Sequence, residues 1–132
     1  MADGQSGGSD GRVGEISRSQ SEPVVSVVIL RESDGSEPFT EWLNALRDRE
    51  AKQRVLARLA VVRRGSLGLM RAVGEGVSEL KIDYAAGYRL YFGRKGDTLV
   101  VLIVGGDKDG QAADIARAQS LWKRYKDEIE NV

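Results

Sequence analysis

The stretch Thr98 to Val104, TLVVLIV, is apolar at every position after the first. A strand that is apolar on both faces belongs in the middle of a sheet, because each face must be covered. Val24 to Leu30, VVSVVIL, has the same β-branched composition and is expected to be a second strand buried on both faces. Ser33-Asp34-Gly35 breaks it.

Between these strands the apolar spacing changes to a helical one. Phe39, Trp42, Leu43 and Leu46 fall at i, i+3, i+4 and i+7, the stripe of a short helix. Ser36 is its expected N-cap, and Pro38 fits the first turn, where a missing N–H costs nothing. A second helix is expected from Asp48-Arg49 to about Arg64, with Val55, Leu56, Leu59 and Val62 inward and Lys52, Arg54, Arg58 and Arg63 outward. Gly65 and Gly68 end it. Ile115, Ala118, Trp122, Tyr125 and Ile129 form the inward stripe of a C-terminal helix from about Gln111 to Glu128.

The rest is β. Met70 to Val73 is a short strand, and Gly74-Glu75-Gly76 turns the chain into Val77 to Tyr84. There Leu80, Ile82 and Tyr84 alternate with Glu79, Lys81 and Asp83, one face core and the other polar. Ala85-Ala86-Gly87 reads as a three-residue hairpin loop. Pairing Tyr84 with Tyr88 sets Asp83 opposite Arg89 and Lys81 opposite Tyr91, so Lys81, Asp83, Arg89 and Tyr91 share the polar face. Arg94-Lys95-Gly96-Asp97 is the next turn. The resulting class is α+β in the order β-α-α-β-β-β(-β)-α, a small, mainly antiparallel sheet packed against two N-terminal helices and a C-terminal one.

Twenty basic and twenty acidic residues cancel, but not evenly along the chain. Residues 1–35 hold six acids and three bases, leaving 17 bases against 14 acids in the other 97. Residues 1–23 carry five Gly and five Ser, with Val13 and Ile16 as the only sizeable aliphatics after Met1. Such a segment buries too little apolar surface to offset an ordering cost of ~1–2 kcal/mol per residue. It is expected to be a disordered extension, either a misassigned start or a dispensable tail, before one domain over residues 24–132. With no Cys and no His, the chain has neither thiolate nucleophile nor imidazole base, and Ser-His-Asp, Cys-His and zinc hydrolytic chemistry are excluded. No apolar stretch approaches the ~18 residues of a bilayer span, and the reading is a soluble, cytoplasmic protein.

The element order resembles that of the RelE/ParE toxins. The residues that carry the likeness are PFTEWLNALRD from Pro38 and VGEGVSELKIDYAAGYRLYFGRKGDTLVVLIVGGDKDGQAADIARAQSLW from Val73, within a match over roughly residues 24–128. GEGVSEL, GYRLYF and GGDK, in that order, are similar to the HigB-like "addiction module killer protein" branch. The resemblance implies a RelE-like fold and the toxin of a type II toxin–antitoxin pair, a ribosome-dependent mRNA endoribonuclease that inhibits translation. It implies no cofactor and no metal. Its partners would be a cognate helix-turn-helix antitoxin, the ribosome and mRNA, with no membrane, and DNA only through the antitoxin.

By the same resemblance Arg89 matches the Arg of the Gly-Tyr-Arg strand, Lys81 the strand lysine before it, and Lys108 the basic residue after the last strand. Arg71, Arg94 and Lys95 are expected RNA contacts around them. Metal-free cleavage needs a base for the 2′-OH, a donor to the leaving oxygen and cations for the phosphorane. Arg89 suits the last role, since a guanidinium fork matches phosphate oxygens. Lys81 suits proton transfer if nearby cations lower its pKa. Tyr91 suits base stacking or proton exchange. The Tyr that some RelE proteins place after the last strand, and the His of some HigB proteins, have no counterpart here. The alternative is therefore a ParE-like inhibitor of DNA gyrase without nuclease activity, and Arg89 facing Asp83 also reads simply as a cross-strand ion pair.

Overall fold

The two largely apolar segments lie side by side, but the first is an edge strand, with Ser26 and Ile29 exposed and Val27 and Val28 half-buried instead of covered on both faces. In the computed structural model, which describes residues 25–129 apart from 69 and 86, β1 (Ser26–Ile29) pairs in parallel with β5 (Leu99–Gly106), Val28 beside Val101. The expected extension over residues 1–23 lies outside the described residues. Between them in sequence come α1 (Pro38–Ala45), α2 (Arg49–Arg63), β2 (Met70–Gly74), β3 (Val77–Ile82) and β4 (Tyr88–Lys95). A final helix α3 (Gln111–Tyr125) comes after β5, with a 3-10 turn at Lys126–Glu128. The sheet order is β1-β5-β4-β3-β2, mixed, with every pairing but β1–β5 antiparallel.

Both faces of this sheet are covered. Leu80, Ile82, Leu90, Phe92, Val100 and Leu102 pack with Phe39 of α1 and Val55, Leu59 and Val62 of α2. On the opposite face Val77, Tyr91, Val101, Ile103 and Val104 pack with Ala118, Leu121, Trp122 and Tyr125 of α3. Burying each large aliphatic or aromatic side chain contributes roughly 1.5–3 kcal/mol, so both layers are needed to offset chain entropy. Every residue of β5 is buried, as its composition requires.

Ile103 has no partner on β4, because Tyr91 pairs with Val104 and Phe92 with Leu102. This bulge sets Ile103 and Val104 both toward α3 and reverses the facing of the two glycines after them. Gly105 lies under Trp42 of α1, and Gly106 under Asp114 of α3. Side chains at either glycine would collide with those neighbours.

Several sequence expectations need correction. The N-cap of α1 is Glu37, not Ser36, and Glu37 turns its carboxylate to Thr40 and Arg31 instead of the helix N–H groups. Leu56 on α2 is exposed, since Val55, Leu59 and Val62 already fill the stripe beneath the helix. The β3–β4 register differs by two residues. Ile82 pairs with Tyr88, so Lys81 lies opposite Arg89 and Glu79 opposite Tyr91. The cause is Tyr84, which leaves the strand: its ring sits under the Arg54 guanidinium, 4.5 Å from the ring centroid, and its hydroxyl donates to Asp48, the residue that caps α2. The loop is consequently Asp83–Gly87, closed by Gly87 N–H donating to the Tyr84 carbonyl at 2.9 Å. β4 extends through Arg94 and Lys95, which the sequence assigns to a turn. On the polar face of the hairpin α3 covers Glu79 and Tyr91, while Lys81 stays exposed.

Candidate nucleic-acid interface

Three cations from three segments meet at one end of the sheet. Arg89, the second residue of β4, has Lys81 as its cross-strand partner on one side and Gly106 on the other. Beyond Gly106 the Asp107–Gly110 turn carries the exposed Lys108. A Cβ placed on Gly87 would lie 3.9 Å from Lys108 Cβ and 3.3 Å from Arg89 Nη1, so the β3–β4 loop passes close to both Lys108 and Arg89. Gly87 has φ +73, a left-handed conformation that a side chain would strain. Arg89 Nη1 donates to the Gly87 carbonyl at 2.5 Å. Lys81 is exposed and paired with Asp83 at 3.3 Å.

Beneath these cations lies a buried carboxylate that sequence reasoning passed over. Glu79 is 6% exposed, and its Oε2 accepts from the Tyr91 hydroxyl (2.9 Å) and Gln111 Nε2 (2.7 Å). Its Oε1 accepts from Arg71 Nη2 and Nε at 3.0 and 3.2 Å. Burial pushes the Glu79 carboxyl up, but the hydrogen bonds from Gln111, Tyr91 and Arg71 and the charge of Arg71 together hold it below the ordinary carboxylate value. It stays ionised. Tyr91 is fully buried, and burial, then the Glu79 carboxylate, raises its pKa strongly. Its hydroxyl is therefore a fixed donor inside the protein, and the ring has no face free to stack on a base.

Asp114 is the second side chain the sequence did not single out. It sits in the first turn of α3 with its carboxylate over Gly106, and burial followed by the charge of Asp107 raises its pKa, with Arg117 opposing. Gln111 and Asp114 are three residues apart on the side of α3 that meets the sheet. That spacing is visible in the sequence, but without the register nothing connects it to Glu79 or Gly106.

The site is flanked by α2. An open cleft of about 350 Å³ between α2 and β3 is lined by Arg54, Ala57, Arg58, Val61, Lys81, Ile82 and Asp83. Arg49, Lys52, Arg54, Arg58 and Arg63 give the helix five bases against Glu50 as its one acid. These bases lie on both sides of the buried stripe, and the two at the cleft are engaged, Arg54 with Glu50 at 3.1 Å and Arg58 with the Leu67 carbonyl at 2.6 Å. Asp48 caps α2, accepting from Glu50 N–H (2.9 Å) and Ala51 N–H (3.2 Å), and fixes where the helix begins.

The other expected RNA contacts divide. Arg71 joins the cluster through Glu79 and is itself exposed. Arg94 and Lys95 lie at the far end of β4, five and six residues from Arg89, or roughly 17–20 Å at strand rise. Arg94 is exposed there. Lys95 Nζ donates to the carbonyls of Lys126 (2.7 Å) and Ile129 (3.0 Å), tying off the end of α3.

No family model matches the chain. It is 39% identical over 83 residues to an uncharacterized protein of Haemophilus influenzae, an alignment covering 63% of this chain and 84% of that protein. The chain belongs to the same family as that protein. Among the described residues no helix is long and apolar enough to cross a membrane.

Proposed function

We propose that this chain is the toxin of a type II toxin–antitoxin pair, of the RelE/ParE superfamily and its HigB-like branch, and acts as a metal-independent endoribonuclease on ribosome-bound mRNA. The observation that carries the reading is that Arg89, Lys81 and Lys108 lie at one end of the sheet, where Lys81 also borders the cleft with Arg54 and Arg58 of α2. GEGVSEL, GYRLYF and GGDK, the three segments of the resemblance, supply β3, β4 and the β5–α3 turn that build this end.

In the proposed reaction the 2′-oxygen attacks the adjacent phosphorus, the bond to the 5′-oxygen breaks, and a 2′,3′-cyclic phosphate forms. Arg89 and Lys108 neutralise the charge that accumulates on the phosphorane oxygens. The 2′-OH proton goes to a protein base, and the leaving oxygen receives one. Asp114, with its pKa moved toward neutrality, takes the place of the absent His and Tyr in this exchange. The partners remain a helix-turn-helix antitoxin, the ribosome and mRNA, in the cytoplasm.

A second reading, a ParE-like inhibitor of DNA gyrase, is favoured by one observation. Tyr91 is sealed in the interior and Arg89 is 8% exposed, which leaves less chemistry at the surface than the sequence promises. Primer extension on purified ribosomes programmed with a defined mRNA tests the first reading, with a gyrase supercoiling assay in parallel. A-site cleavage by the protein supports the nuclease. Gyrase inhibition without cleavage overturns it in favour of the ParE-like function.

A further inference from the structure

We propose that Glu79 is a positioning residue for Arg89, holding its guanidinium ready for a phosphodiester while Arg71 keeps the Glu79 charge balanced. The proposal rests on the role of Arg89 in the nuclease reading. Both side chains are buried, at 6% and 9% exposure, on the α3 side of neighbouring strands. Glu79 Oε2 lies 3.6 Å from Arg89 Nε, within reach of charge attraction but too far for a hydrogen bond. Arg89 Nε is buried and has no hydrogen-bond partner among the described residues.

A buried ion pair kept for stability is expected to complete its hydrogen bonds, because an unsatisfied buried donor is costly. Here the carboxylate is fully engaged by other groups. Tyr91 and Gln111 occupy Oε2, and Arg71 occupies Oε1. Arg89 is thus anchored at Nη1 by Gly87, drawn inward by the Glu79 charge, and left with donor capacity unspent. Because Nε is sealed from solvent, a phosphate oxygen entering beside Lys108 would meet the guanidinium at its terminal amino groups, with Nε still turned to Glu79. When that phosphate takes up the Arg89 charge, the exposed Arg71 still neutralises Glu79, so the carboxylate is never stranded.

The test uses the full chain labelled with 15N, in which the Arg89 Nε–H resonance is assigned by its loss in Arg89→Lys. In Glu79→Gln that resonance is expected to move toward the shift of an exposed arginine, and its exchange with water to quicken on the order of tenfold, the scale of losing a fixed counter-charge. On programmed ribosomes kcat is expected to fall roughly 10- to 100-fold with KM changed less than about threefold, the pattern of misplacement rather than lost binding. Arg71→Ala, at an exposed position, covers the case in which Glu79→Gln does not fold. Arg89 then becomes the remaining cation at Glu79, and its Nε–H exchange is expected to slow. An unchanged Arg89 Nε–H resonance in Arg71→Ala, or in folded Glu79→Gln, overturns the proposal. If the resonance responds but the wild type cleaves nothing, the Glu79–Arg89 contact stands and the nuclease reading alone fails.

Discussion

Gly93 of β4 lies directly beneath the indole of Trp122: a Cβ at Gly93 would come within 2.5 Å of Trp122 Cε2 and Cζ2. The glycine is what allows α3 to close on the sheet and roof the Glu79 cluster. Gly93→Ala is expected to lower stability by about 1–3 kcal/mol through overpacking. Gly96→Ala is the control, since its φ of +66 makes the cost conformational and nothing lies within 4 Å of its Cβ position. Urea melts followed by tryptophan fluorescence should show a shifted emission maximum in the native state of Gly93→Ala alone. An unshifted native spectrum with wild-type stability would contradict the packing argument.

Arg89→Ala should reduce mRNA cleavage by roughly 10²–10³, comparable to the loss of an oxyanion donor. Arg89→Lys should recover part of that, because a point charge lacks the guanidinium fork. The burial of Arg89 changes the stability expectation. An exposed cross-strand pair would contribute only ~0–1 kcal/mol, whereas removing a charge held beside buried Glu79 should cost about 1–3 kcal/mol, limited by the three donors that remain on Glu79. Thermal melts alongside single-turnover cleavage measure both, and full cleavage by a folded Arg89→Ala protein would remove Arg89 from the mechanism.

Tyr91 links stability to alkaline pH. Its folded pKa is raised by burial and by Glu79, so its contribution is fully present below the ordinary phenol value of about 10 and is lost as pH rises through the folded value. Tyr91→Phe should cost about 1–2 kcal/mol at pH 8 by removing a donor from Glu79. The gap between wild type and variant should then narrow above about pH 10, where the unfolded wild type ionises. Denaturant melts across that range decide it; a gap constant with pH would mean that Tyr91 does not titrate differently on folding.

Asp114 works with the opposite sign to a paired carboxylate. Because its folded pKa is raised, the stability linked to its proton is fully present below about 3.9 and is lost as pH rises through the folded value. Asp114→Asn is therefore expected to stabilise the protein at neutral pH, with the gain vanishing toward pH 3–4 on the order of the unfolded pKa. Cleavage should fall in the same variant, and the acid limb of the wild-type pH–rate profile should flatten. A variant with unaltered rate and profile would take Asp114 out of the proton transfer.

Asp48→Ala should cost about 1 kcal/mol by uncapping α2. It should also free Tyr84, whose hydroxyl donates to the same oxygen at 3.4 Å, and loosen the β3–β4 loop. Hydrogen exchange at Gly87 N–H, bonded to the Tyr84 carbonyl, is the local measurement. Protection unchanged there would separate the cap from the loop.

The element order, the all-buried nature of β5, the inward stripe of α3 from Ile115 to Tyr125 and the face parity of β3 and β4 were legible in the residues alone. These features arise from periodicity along the chain, and side-chain direction obeys that periodicity whatever the neighbours are. The same parity put Arg89 and Lys81 on one face, because a register error of two residues preserves it. The pairing partner, the bulge and the cover over each face came from contacts between distant segments. Tyr84 leaves β3 because α2 and its cap offer it Arg54 and Asp48, and that departure brings Lys81 opposite Arg89. The unpaired Ile103 reverses the facing of Gly105 and Gly106, so Trp42 and Asp114 find glycine beneath them. Glu79, one of an alternating polar series in sequence, becomes the buried centre of the site because Gln111 reaches it from a helix more than thirty residues away, a contact that no local pattern encodes.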